Sequence, residues 1–266
     1  MSATHTLIVV TIIFVLTVVM IMSGRGGGNF YVAALVLSGV AMHTASTTSQ
    51  FILLASALTG AIVFGKARTM SWPLAFFFGG VNASMAFVGG FTAHAFGGTT
   101  LKIVLSVLLF IAGVAMLFPE KQAQKDAVSR FGYWNIREND KQYVINLWLA
   151  VPLTMATGFF SGMVGISGGS FLVPLMVVGC GVPMRTAVGT ATAMLAATAF
   201  TGFAGNALHG GFDPALAVPC GAVAIIGGLI GSRIALKTKP KSLKTISGIL
   251  TIIAAIFMMA NALSGK

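Results

Sequence analysis

Ten apolar runs, each ended by a short polar or glycine-bearing break, constrain this chain more than any single motif. They lie at about 6–23, 28–42, 46–65, 73–97 and 100–118, then at about 143–164, 169–182, 186–207, 213–236 and 243–263. A hydrocarbon layer about 30 Å thick takes about 20 apolar residues per helical span, so ten spans consume roughly 200 residues. In a chain of 266 residues this leaves short loops and excludes a soluble catalytic domain. Charge agrees, because 8% of the residues are charged against about 25% in a soluble domain. The expected fold is an all-α integral membrane protein with about ten transmembrane helices, and the lipid bilayer is its first partner. A net charge of +11 would suggest a polyanion in a soluble protein. In this apolar setting it bears on membrane orientation, and no nucleic-acid partner is expected.

The one extended polar break, 120–141, holds Glu120, Asp126, Glu138 and Asp140, four of the five acidic residues, together with five cations. It divides the chain into 1–119 and 142–266, and these parts are repeats. A shift of 142 residues places Gly39–Ala45 on Gly181–Ala187 and gives 11 identities in the 22 positions from 39 to 60. The same shift pairs Gly79 with Gly221, Gly89 with Gly231 and Leu101-Lys102 with Leu243-Lys244. Apolar bias does not place Thr, Gly and Lys at one common offset. Five runs per half is an odd number, so the second half is expected upside down relative to the first, a 5+5 inverted repeat.

Loop charges test this arrangement. If all ten runs cross, 14 of the 16 Lys and Arg fall on one side, and only Lys102 and Lys266 on the other. If runs 2 and 7 were lone re-entrant segments, the split would be 8 to 8. Cytoplasmic loops collect Lys and Arg, so the first topology is expected, with a cytoplasmic linker and both termini periplasmic. Met1–Thr6 carries no Lys or Arg, so the first run is expected as a retained helix and not a signal peptide. Runs 2/3 and 7/8 keep a second option, short or re-entrant hairpins that turn inside the membrane and leave the outer parity unchanged. Runs 2 and 7 are about 14–15 residues, short for a full span.

Short, glycine-interrupted helices at matching places in two halves point to a transporter's binding site. Arg25-Gly26-Gly27-Gly28-Asn29 opens run 2, and Gly165-Ile166-Ser167-Gly168-Gly169-Ser170 opens run 7. Glycine admits positive φ and close backbone approach, and a helix start offers N–H groups and a positive dipole end to an anion. Glycines of this kind also permit tight helix crossings; their occurrence at two matching positions favours binding. The candidate ligand groups are therefore Gly27, Gly28, Asn29, Ser167, Gly168, Gly169 and Ser170. A second, hydroxyl-rich pair of helix starts adds Thr48, Ser49 and Gln50 after His43, and Thr190 and Thr192 after Arg185. Hydroxyls there either cap helices or donate to an oxyanion. Arg185 is an anion ligand if the hairpins turn inside the membrane and an interfacial cation if they span. Asn82, Ser84, Asn146 and Asn206 are read as interhelical hydrogen-bonding residues.

No Asp or Glu lies within an expected span, which weakens cation transport and favours a neutral or anionic substrate. No Walker motif is present. Cys180 and Cys220 lie in apolar stretches outside any C-x-x-C pair, and are read as packing residues with neither disulfide nor metal. No cofactor is expected. One enzymatic rival stands: Gly165–Gly169 satisfies G-x-S-x-G and resembles the rhomboid protease signature, with Ser167 as nucleophile and His209 as base. The α/β-hydrolase version lacks its strand–turn–helix context, and rhomboids are not inverted five-helix repeats.

The glycine-rich helix start, the run Gly181 to Thr190 (Gly-x-Pro-x-Arg-x-Ala-Val-Gly-Thr) and Gly231 to Lys237 (Gly-Ser-Arg-Ile-Ala-Leu-Lys) resemble the TauE/SafE sulfite exporter family. The resemblance is strongest from about 160 to 260. The first half departs from it, with Ala33 where the second half has Pro174 and Asn29 where it has Ser170. The resemblance implies a secondary transporter, more readily an exporter, of sulfite, organosulfonates or another small anion across the bacterial inner membrane. It is not an enzyme in that reading. A second copy of the chain, as a homodimer, is the one protein partner kept in view.

Overall fold

Prolines, asparagine and aspartate set where the apolar runs of this chain begin as helices in the computed structural model. Residues 3–22, 24, 26–115, 131–138 and 141–238 are described, with 249, 252–253, 255–257, 259–260 and 262–263 from the last run. The helices are α1 (Ala3–Met22), α2 (Gly28–Leu37), α3 (Met42–Lys66), α4 (Trp72–Thr92), α5 (Gly98–Ala115), α6 (Leu147–Val164), α7 (Gly169–Pro174), α8 (Met184–Ala207) and α9 (Pro214–Lys237). A 3-10 turn, Ala93–Ala95, prolongs α4, and a π-helical stretch, Leu175–Gly179, prolongs α7. Asn146 caps α6 by accepting from the Trp148 N–H at 3.1 Å, and Asp213 caps α9 from Ala215 at 3.0 Å. Prolines stand in the first turns of α4 and α9, where a missing N–H forfeits no helical bond.

Five of these helices are long and apolar enough to cross a bilayer, namely α3, α4 with its 3-10 turn, α6, α8 and α9. Shorter apolar helical stretches cover Thr6–Met22, Gly28–Leu37 and Gly98–Leu108. Large apolar side chains face outward along them, among them Phe76 (73% exposed), Ile62 (59%) and Ile226 (52%). Such an exterior suits lipid and is penalised in water. The described chain is that of a multi-pass, helical membrane protein.

Glycine contacts fix the helix directions. Gly227 packs on Thr17 and Gly231 on Val18, while Gly221 packs on Phe51 and Gly228 on Ser56, so α9 runs parallel to α1 and α3. Gly158 packs on Asn82, Gly162 on Ala86, Gly79 on Met194 and Gly90 on Gly202, so α4 runs parallel to α6 and α8. Gly60 meets Thr192 and Gln50 meets Gly202, so α3 and α8 are antiparallel. The two trios therefore run in opposite directions. Each also joins elements far apart in the chain, α4 lying on α6 and α8, and α9 on α1 and α3. At the end where α3 begins and α4 and α8 finish, His43, His94 and His209 stack with ring centroids 4.7 Å apart at each step.

Two departures from expectation stand out. Run 6 was expected to start at about 143, but Tyr133–Glu138 and Lys141–Asn146 form an antiparallel hairpin, β1–β2, and α6 begins at Leu147. The alternation around Ile136 and Ile145 is the cause, since both side chains are buried with Leu74, Phe78 and Ala150. Runs 2 and 7 are short as anticipated, but their partners are not. The 10-residue α2 rises only about 15 Å, whereas α3 and α8 have 25 and 24 residues. Each half thus joins one half-length helix to one full-length helix, in place of a hairpin of two short arms. Residues 116–130, Arg25 and most of the tenth run, with Lys239, Lys241, Lys244 and Lys266, lie outside the described residues.

Close helix packing gives a direct test. A Cβ at Gly162 would collide with the backbone carbonyl of Ala86, whereas one at Gly80 would meet nothing within 4 Å. Gly162→Leu is expected to destabilise the detergent-solubilised protein by about 1–3 kcal/mol, the usual cost of overpacking. Thermal melting should show this loss, with Gly80→Ala melting as the parent does.

Candidate functional site

The two glycine motifs, 138 residues apart at Asn29 and Ser167, meet inside the bundle. Gly26 and Gly27 hold φ of 74° and 79°, left-handed values that glycine adopts without a Cβ penalty. They turn the chain back after α1 so that α2 starts beside the end of α6. At Gly28 the backbones touch, and a Cβ there would lie 2.7 Å from the Ser167 nitrogen and 3.0 Å from the Ile166 carbonyl carbon. Gly165, at φ 79°, ends α6 in the same way. No side chain caps the first turn of α2 or α7.

Polar groups lock the crossing. Asn29 Oδ1 accepts from the Ser167 N–H at 3.0 Å and from the Ser167 hydroxyl at 3.3 Å. The Ser49 hydroxyl faces the Gly28 carbonyl at 3.1 Å and the Gly165 carbonyl at 3.0 Å, so one proton serves both motifs. The Ser161 hydroxyl donates to the Ile166 carbonyl. Gly168 lies beside Asn82, a Cβ there being 3.3 Å from Nδ2, and Asn82 is itself held by Thr198 at 2.6 Å and Thr157 at 3.2 Å. Asn29, Ser49, Asn82, Ser161 and Ser167 are all buried. The result is a polar layer in which broken helices meet and their backbone groups find partners within the protein, as the interior of a membrane requires.

Gly27, Gly28, Asn29, Ser49, Ser167, Gly168 and Gly169 are thus brought together, with Gly169 and Ser170 in the first turn of α7. Gln50 and Thr48 stand on the same stretch of α3, Gln50 donating through Nε2 to the Ser161 carbonyl at 2.9 Å. Three expected residues lie elsewhere. Arg185 is exposed in the first turn of α8. Thr190 accepts from the Ser71 N–H at 2.9 Å, and Thr192 donates to the Val188 carbonyl of its own helix at 2.8 Å. The cause is geometric. Antiparallel α3 and α8 carry their equivalent hydroxyls to opposite ends of the bundle.

Other polar residues divide similarly. Asn82 and Asn206 do bond between helices, the latter to the Gly162 carbonyl at 2.8 Å. Asn146 is instead a helix cap, and exposed Ser84 returns its hydroxyl to Gly80 in its own helix. Ser161, Thr157 and Thr198 were not singled out from sequence, because isolated hydroxyls in apolar runs carry no pattern. Ser167 is engaged with Asn29, while His209 is exposed, stacked on His94 and edge-on to Phe91. Among the described residues no group of three or more His, Cys, Asp or Glu is placed to hold a metal ion.

Comparison with known proteins adds a family. The profile described as "Sulfite exporter TauE/SafE" matches residues 9–258. "Probable membrane transporter protein YunE" of Bacillus subtilis (strain 168) is 22% identical over 245 residues, covering 86% of this chain and 88% of its own. A "Probable membrane transporter protein" of Xylella fastidiosa (strain 9a5c) is 23% identical over 240 residues, covering 88% and 87%. "Probable membrane transporter protein YdhB" of Bacillus subtilis (strain 168) is 22% identical over 232 residues, covering 85% and 89%.

The Asn29–Ser167 contact can be weighed by substitution. Asn29→Ala leaves the buried Ser167 N–H without its acceptor, a loss of about 1–3 kcal/mol. The melting temperature should fall accordingly, while Ser84→Ala on the exposed face of α4 leaves it in place.

Proposed function

The chain belongs to the sulfite exporter TauE/SafE family, and from that premise we propose that it is a secondary transporter of small sulfur-containing anions, sulfite or organosulfonates. The observation that carries the reading is the meeting of the start of α2, at Gly28, with the turn at Ser167 that leads into α7. The Ser167 N–H and hydroxyl and the Asn29 amide meet there beside the uncapped first turns of α2 and α7, which suits an anion held without a buried cation. Asn29 Oδ1 accepts from both Ser167 donors, and an anion oxygen takes over that role when substrate binds. Donors of this kind read charge and size rather than sulfur, so another small organic anion is the alternative substrate for the same site.

Alternating access follows from the arrangement of the halves. The repeat pairs α1 with α6, α3 with α8 and α4 with α9, and the contacts above support opposite directions within each pair. We read the chain as a 5+5 inverted repeat of ten crossings. In it α2 and α7 each complete a crossing by a loop and a half-length helix, and rocking of one part against the other opens the site to either side. Loop charge supports a cytoplasmic linker and periplasmic termini in a bacterial inner membrane. Arg185 then stands at the cytoplasmic mouth. The direction proposed is export.

Two measurements test these proposals. Proteoliposomes should accumulate labelled sulfite above empty vesicles. Gly28→Val, which drives a side chain into Ser167, should abolish that uptake, and Ser167→Ala should lower uptake at limiting substrate at least tenfold. Accumulation no greater than in empty vesicles, with unlabelled organic acids competing for nothing, would remove the anion reading. For topology, cysteines are placed at Ser2 and Gln124 in a chain carrying Cys180→Ser and Cys220→Ser. An impermeant thiol reagent should label position 2 in intact spheroplasts and position 124 only after permeabilisation.

A further inference from the structure

Three buried oxygen atoms near the end of α6 have no hydrogen-bond partner among the described residues: Ser46 Oγ, Gln50 Oε1 and Asn206 Oδ1. Gln50, Ser46 and Asn206 are each 0% exposed. We propose that these oxygens form a site for a monovalent alkali cation, with Na+ as the ion tested. As the partner of a transported anion its role rests on the reading above; the binding of the ion does not.

The amide orientations are fixed by their own hydrogen bonds. Gln50 Nε2 donates to the Ser161 carbonyl at 2.9 Å, and Asn206 Nδ2 donates to the carbonyls of Gly162 at 2.8 Å and Gly202 at 3.0 Å. Exchanging O and N in either amide would set oxygen against carbonyl oxygen. The two free amide atoms are therefore acceptors, which repel an anion and attract a cation or a donor, and the Ser46 hydroxyl can accept beside them. This separates Gln50 from the groups that meet the anion.

The three residues share one level of the bundle. The Gln50 amide lies against Gly202, where a Cβ would be 2.8 Å from Nε2 and 3.3 Å from Oε1, and Asn206 stands one turn further along α8. Ser46 is one turn before Gln50 on antiparallel α3, its Oγ 2.5 Å from where a Cβ of Gly165 would stand. All three surround the last turn of α6, residues 161–165, whose carbonyl end carries partial negative charge. Hard, neutral oxygens suit an alkali ion, and ion sites of transporters use such helix ends. Among the described residues no helix contains Asp or Glu, so the charge of a divalent ion would go uncompensated. Ser49, between Ser46 and Gln50, bonds to Gly28 and Gly165. A cation here lies within about one helix turn of the glycine crossing and offsets the anion's charge.

The test uses the full-length protein in detergent, without sulfite, at constant ionic strength made up with choline chloride. The melting temperature should rise saturably with Na+ and not with choline. Ser46→Ala and Asn206→Ala should each shift the half-saturating Na+ concentration upward at least tenfold; Ser46→Ala, the milder change, serves if Asn206→Ala does not fold. Equal melting in Na+ and choline overturns the site and leaves it to water. So does a Na+ response that both variants retain. Loss of sulfite transport with Na+ stabilisation intact upholds the cation site and counts against the substrate reading alone.

Discussion

The polar crossing of Gly28 on Ser167 is the constraint on which the remaining architecture depends. A chain that breaks two helices inside an apolar layer exposes main-chain donors and acceptors where no water can meet them. Here those groups are met by side chains from neighbouring elements. Asn29 serves the Ser167 N–H, Ser49 the Gly28 and Gly165 carbonyls, and Ser161 the Ile166 carbonyl. The arrangement works only if backbones come into contact. Glycine stands at 26, 27, 28 and 165, and small residues recur along α4, α6, α8 and α9 where helix meets helix.

That same contact carries the anion reading proposed for the site. Helix starts that are uncapped by side chains present N–H groups and a positive dipole end, and the start of α2 lies against the turn that leads into α7. An anion can be held by such groups with no buried lysine or arginine. One helix turn away, at the carbonyl end of α6, the Gln50 and Asn206 amides donate to the Ser161 and Gly162 carbonyls, and their oxygens are left without a donor among the described residues.

Much of this was legible in the residues. The apolar runs announced the described helices, and glycine beside small polar residues announced the two interrupted helix starts. The hydroxyl positions were less legible. Thr190 and Thr192 are the repeat partners of Thr48 and Gln50, yet they sit at the other end of the bundle, bonded to Ser71 and Val188. A repeat tells which residues are equivalent. It does not tell whether equivalent residues meet, and under opposite directions only those near the crossing do. The hairpin at 133–146 was hidden by a polar linker that drew attention to charge, while its alternation around Ile136 and Ile145 passed as the edge of a helix.

Composition and pattern determined the solvent, the helical class and the places where helices had to break, because these follow from transfer energies and backbone sterics that act locally. Tertiary structure decided which broken ends face each other, which amide oxygens are left without a donor and which hydroxyls serve only to hold helices. Those outcomes depend on helix direction and on the level at which two segments far apart in the chain come to lie together, and no local property of the sequence encodes that level.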